Sequence, residues 1–101
     1  MIEIKQQGDQ TVLTPDFDIL ASTAHELRDE VSRFLKEGRT AFVLDLSNVN
    51  SIDSIGIGSI VSCLKTITSN KGTFRVVCPK PELVQLFKVL KLDQTLNIAS
   101  N

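Results

Sequence analysis

Residues 40–58 read Thr40-Ala41-Phe42-Val43-Leu44-Asp45-Leu46-Ser47-Asn48-Val49-Asn50-Ser51-Ile52-Asp53-Ser54-Ile55-Gly56-Ile57-Gly58. The first seven are almost wholly apolar, which is the composition of a central strand covered on its faces. Residues 47–53 are polar and turn-rich. Beyond them Ile57, Ile60, Val61, Leu64 and Ile67 recur with helical spacing, so a helix begins near Ser54. Asn70-Lys71-Gly72 ends it, and residues 73–78, β-branched and apolar, supply another strand that stops at Pro79. A strand, a helix and a second strand in this order form a right-handed crossover between parallel neighbours.

The pattern extends in both directions. Ile2-Glu3-Ile4-Lys5 alternates with period two, and Thr11-Val12-Leu13-Thr14 follows the turn-like Gln7-Gly8-Asp9, so the chain opens with a hairpin. Pro15-Asp16-Phe17-Asp18 then reads as a loop. From Ser22 to about residue 37 the period is helical: Ala24, Leu27, Val31, Phe34 and Leu35 share one stripe, opposite Arg28, Asp29, Glu30, Arg33 and Lys36. Thr23-Ala24-His25-Glu26 has capping-box spacing, and Gly38 stands where a left-handed residue would end the helix. Downstream, Pro81 opens a third helix with a stripe of Leu83, Leu86, Phe87 and Leu90, and residues 95–98 read as a last short strand. The expected fold is α/β: one domain over residues 1–101, a mixed β-sheet flanked by helices in the order ββαβαβα(β).

With 101 residues, 42% hydrophobic and 23% charged, the chain has room for a single core and needs no staple. Its apolar runs are a few residues long, far short of the roughly 18 a membrane helix needs. The N-terminal residues lack a basic start and a long apolar centre, so no secretory signal is read and a cytoplasmic location is expected. Cys63 and Cys78 sit in apolar segments, form no metal-ligand spacing, and are expected to be small buried hydrophobes. The net charge of -1 is uneven, with 5 basic and 9 acidic groups in residues 1–50 against 6 and 3 in residues 51–101. No basic cluster with interleaved aromatics accompanies the second half, and Trp and Tyr are absent, which argues against a nucleic-acid partner.

Catalytic patterns fail on spacing. Val61 stands where a dinucleotide-binding loop starting at Gly56 would need its third glycine, no phosphate loop is present, and Ile52 stands where a nucleophile elbow around Ser54 would need a glycine. His25 is the only histidine and falls on the polar side of an amphipathic helix. No catalytic residue, metal site or cofactor is therefore assigned. An Asp or Ser at 53–54 is ordinarily a helix cap worth about 1 kcal/mol. Two glycines near a helix start cost about 1 kcal/mol each relative to Ala, a cost that asks for a reason. Ser54 also suits an acceptor that another protein modifies. A phosphoryl group adds about -1.5 to -2 charges, which free N–H groups at a helix start favour. Asp53, and Asp18 or Asp16 if their loop reaches the same sheet edge, would oppose it. Ile55 is a candidate for exposure at a contact surface, while Ile57 could face either way.

The run Val43-Leu44-Asp45-Leu46-Ser47-Asn48-Val49, followed by Ile52-Asp53-Ser54-Ile55-Gly56-Ile57-Gly58, resembles the signature of STAS domains, specifically the bacterial anti-sigma factor antagonists. Thr14-Pro15-Asp16-Phe17-Asp18 occupies the place of that family's loop ending in a functional Asp, with Pro15 where a Gly is common. The resemblance implies a partner that is an anti-sigma factor and serine kinase, phosphorylation at Ser54, reversal by a PP2C-type phosphatase, and release of the sigma factor by the unmodified form. It implies no enzymatic activity. It places Asp18, Asp53, Ser54, Ile55, Gly56 and Ile57 at the partner-binding site, with Ile55 standing where the family usually has a small residue. A free protein of this kind is expected to be a monomer or weak dimer. The alternative is a STAS regulatory protein whose partner belongs to a secretion, biofilm or lipid-transport system.

Overall fold

The computed structural model describes residues 1–96, 98 and 99. Their order is β1 (Ile2–Gln7), β2 (Gln10–Pro15), α1 (Ala24–Lys36), β3 (Ala41–Asp45), α2 (Ser54–Ser69), β4 (Thr73–Val77), α3 (Pro81–Val89) and β5 (Ile98–Ala99). This is the expected ββαβαβαβ succession. The strands form one mixed sheet in the order β1-β2-β3-β4-β5, with β1 antiparallel to β2 and every other pair parallel. The hairpin closes through Gly8, whose φ of 65° meets the positive value that a primed two-residue turn requires.

Register determines which side chains meet. Thr11, Phe42 and Phe74 form one row across β2, β3 and β4, and Leu13, Leu44 and Val76 form the next on the same face. All six are buried. They share one core with Leu27, Val31 and Phe34 of α1, Ile60, Cys63 and Ile67 of α2, and Leu83 and Phe87 of α3. Because the parallel strands are added successively in one direction, right-handed crossovers put all three helices on that face.

The other face is uncovered by helices, unlike the expectation that β3 would be covered on both. There Val43 is only 5% exposed because Val12 and Arg75 flank it across the sheet. Glu3, Lys5, Thr14 and Asp45 share this polar face.

Several local expectations shift. The capping box does not form. Thr23 is the N-cap of α1, but its hydroxyl donates to the Asp18 carbonyl at 2.6 Å and accepts from Leu20 N–H at 2.9 Å, so it serves the preceding loop. Gly38 has the left-handed φ of 88° expected after α1. After α2 that conformation falls to Lys71 at φ 61°. Gly72 is needed instead for close packing, since a Cβ there would lie 2.3 Å from the Thr40 carbonyl oxygen. The buried face of α2 is Gly56, Ser59, Ile60, Cys63 and Ile67, with Val61 and Leu64 half-buried at its edge. Leu86 is half-buried and Leu90, expected in the α3 stripe, is 46% exposed because the helix ends at Val89 and turns the next residue outward. The last strand lies at Ile98–Ala99. Thr95 and Leu96 belong to the preceding turn, and Asn97 lies outside the described residues. Both cysteines are buried, as expected, and burial pushes the Cys63 thiol up to about 11.

Candidate functional site

Parallel strands β2, β3 and β4 bring their C-terminal ends to one edge, where residues 16–23 and 46–53 run side by side. Ile19 and Ile52 form a parallel bridge, with Ile19 N–H donating to the Ser51 carbonyl at 3.1 Å and Asp53 N–H to the Ile19 carbonyl at 3.3 Å. The two loops are thus joined by main chain.

Two carboxylates complete the joint. Asp18 Oδ1 accepts from the N–H groups of Asn50 at 2.9 Å and Ser51 at 3.1 Å. Asp53 is the N-cap of α2: its Oδ1 accepts from Gly56 N–H at 2.7 Å, and its Oδ2 crosses to Ala21 N–H at 2.9 Å. These donors, Gly56 first and Ala21 second, hold the Asp53 carboxyl below the usual carboxylate range against a smaller opposing effect of burial. Asp53 therefore carries its full charge beside Ser54. Asp16 lies apart from this joint and binds the Met1 ammonium group at 2.8 Å.

Ser54 is the first residue of α2 and is exposed. Its hydroxyl makes no hydrogen bond among the described residues. Ile55 next to it is 54% exposed, a large apolar side chain in water at the start of a helix. Ile57 is half-buried against the core. Gly56 has no room for a side chain, because a Cβ would lie 1.9 Å from the Ile19 carbonyl oxygen. That close approach lets the helix start sit on the neighbouring loop, and it accounts for the first of the two glycines. His25 is exposed on α1.

Two contributors, Lys80 and Arg28, had no signal in the sequence. Lys80 Nζ reaches back from the end of β4 to the Val49 carbonyl at 2.7 Å and Asn50 Oδ1 at 2.6 Å, fixing the loop that Asp18 holds from the other side. Its setting, Pro79-Lys80-Pro81, reads only as the stop of one strand and the start of the next helix. On α1, Arg28 donates to Ser59 Oγ and satisfies the buried hydroxyl where α1 meets α2. These pairings join residues about thirty positions apart, and no local pattern announces them.

The comparisons with known proteins agree with this architecture. A family model described as STAS domain matches residues 1–101. A Thermotoga maritima protein named "Putative anti-sigma factor antagonist" is 33% identical over 99 residues, spanning 97% of this chain and 88% of that one. A crystal structure from the same organism under that description superposes with a TM-score of 0.88, at 33% identity and with 96% of this chain and 84% of the other covered. At lower identity the likeness is one of fold. An anti-sigma factor antagonist from Mycobacterium paratuberculosis gives 0.86 at 21% identity, covering 100% and 86%. The Bacillus cell fate determinant SpoIIAA in its phosphorylated form gives 0.74 at 15%, covering 98% and 91%.

Proposed function

The chain belongs to the STAS domain family of anti-sigma factor antagonists, and from that premise we propose that it is a binding module switched by phosphorylation at Ser54. In its unmodified form it binds an anti-sigma factor that is also a serine kinase, and the sigma factor is thereby released. Transfer of the ATP γ-phosphoryl group to Ser54 Oγ ends the binding, and hydrolysis by a PP2C-type phosphatase restores it. The protein is the substrate in this cycle and catalyses none of its steps.

One observation carries this reading: an exposed hydroxyl with no hydrogen-bond partner among the described residues stands on the first turn of α2 beside a fixed carboxylate and an exposed Ile55. A phosphoryl group at Ser54 would bring about -1.5 to -2 charges. The helix start favours an anion there, whereas the Asp53 carboxylate, kept ionised by its N–H donors, repels it. The two effects oppose each other within the fold. A partner seated on Ser54 and Ile55 feels the added charge and bulk without compensation.

The test is incubation with the anti-sigma factor kinase of the source organism, ATP and magnesium, followed by intact mass and peptide mapping. One phosphate at Ser54, absent from Ser54→Ala, is the expected result. A phosphate on Ser51 or Ser59, or undiminished labelling of the variant, overturns the assignment.

A further inference from the structure

Resting on the reading that a kinase partner docks over Ser54, we propose that Gly58 sets how closely that partner approaches: its bare main chain is the seat for a segment of the partner's own main chain. Gly58 lies in the interior of a 16-residue helix, where glycine is less favourable than alanine. The fold gives no reason for it. A Cβ at Gly58 would meet nothing within 4 Å, and the residue does not need a left-handed φ. Gly56, two residues earlier, differs in being blocked by the Ile19 carbonyl. One glycine answers to the interior and the other faces outward.

Position gives the outward glycine its use. Residues four apart on a helix are neighbours on one face, so Gly58 lies one turn beyond Ser54 and three residues beyond Ile55, and all three are exposed. From Ser54 to Leu64 the helix carries no charged side chain. Beyond the Asp53 carboxylate, a helix face with an exposed isoleucine, a bare stretch of backbone and no charged side chain suits an uncharged main-chain segment of the partner. The distance between packed elements is set by the side chains at the contact, so removing one lets a partner come nearer to the acceptor hydroxyl.

The experiment compares wild type, Gly58→Ala and Gly58→Leu in the full chain, with Gln85→Ala on the exposed side of α3 as a control, using the purified anti-sigma factor kinase with ATP and magnesium. Gly58→Ala is expected to melt about 4 °C higher, because alanine favours the helix. Its Kd for the kinase should rise by about tenfold or more, and that of Gly58→Leu by about a hundredfold, with the initial rate of Ser54 phosphorylation falling in the same order. Gln85→Ala should change neither. The inference is overturned if wild type is bound and phosphorylated at Ser54 and both glycine variants match it. It is equally overturned if Gly58→Ala melts lower than wild type, since the glycine would then meet a need of the fold. If wild type itself is neither bound nor phosphorylated at Ser54, the functional reading fails first and the role of Gly58 falls with it.

Discussion

Asp18 and Asp53 brace each other's loops: Asp18 holds the main chain at Asn50 and Ser51, while Asp53 holds the main chain at Ala21. The acceptor serine is therefore mounted on a joint in which each side carries a carboxylate that serves the other. Removing Asp18 frees two exposed N–H groups to water, whereas removing Asp53 also strands the partly buried Gly56 N–H, so both residues stabilise the fold and Asp53 the more.

The Asp53 brace gives a pH signature. Its folded-state pKa lies below the unfolded value, because Gly56 and then Ala21 donate to the carboxylate. The contribution is thus fully present above about pH 4 and is lost as the pH falls through the folded-state value. Urea unfolding of wild type should weaken more steeply on acidification than that of Asp53→Asn, whose amide oxygen still caps the helix without titrating. Equal acid slopes would show that the carboxylate is not stabilised in the native state.

Truncation of Asp18 to Ala should cost about 0.5 to 1.5 kcal/mol, the net worth of hydrogen bonds to N–H groups that water can reach, whereas Asp18→Asn keeps an acceptor oxygen and should lose less. Denaturant midpoints of the two variants measure the difference. Similar losses in both would mean that the charge, and not the oxygen, holds the loop.

Ile55→Ala should leave unfolding within about 0.5 kcal/mol of wild type and lower partner affinity, while Ile60→Ala, in the core, should cost about 2 to 5 kcal/mol. Ile55 is 54% exposed and Ile60 fully buried. A large stability loss at Ile55 with unchanged binding would remove it from the contact surface.

Cys63 and Cys78 should resist thiol reagents in the native state. Burial raises both thiols above their ordinary value, Cys63 to about 11 with a small opposing pull from Arg28. At pH 8 almost no Cys63 thiolate exists. Reaction with an aromatic disulfide should follow global unfolding, and rapid labelling of the folded protein would contradict the buried placement.

The strand 41–45, the start of α2 at Ser54 and the crossover order were legible because hydrophobic period and turn residues are local signals. The Asp53 cap was legible for the same reason. What its second oxygen does was not, since Ala21 lies on another loop. Gly56 and Gly58 look alike in the sequence and differ only in what their missing side chains would meet. The capping box at Thr23 had the right spacing, yet its hydroxyl was claimed by Leu20 and Asp18. Leu90 fits the stripe of α3 by period, but the helix stops one residue too soon for the period to apply.

Because α1, α2 and α3 all pack on one side of the sheet, the domain has a back as well as a front. Glu3, Lys5 and Arg75 point away from the helices, across the sheet from the surface that carries Ser54. A dye, a linker to a sensor chip or a fused reporter attached at one of these positions stands behind the β-layer, leaving the helical side free. Association with a partner can then be followed on an immobilised protein without the attachment competing for the same ground.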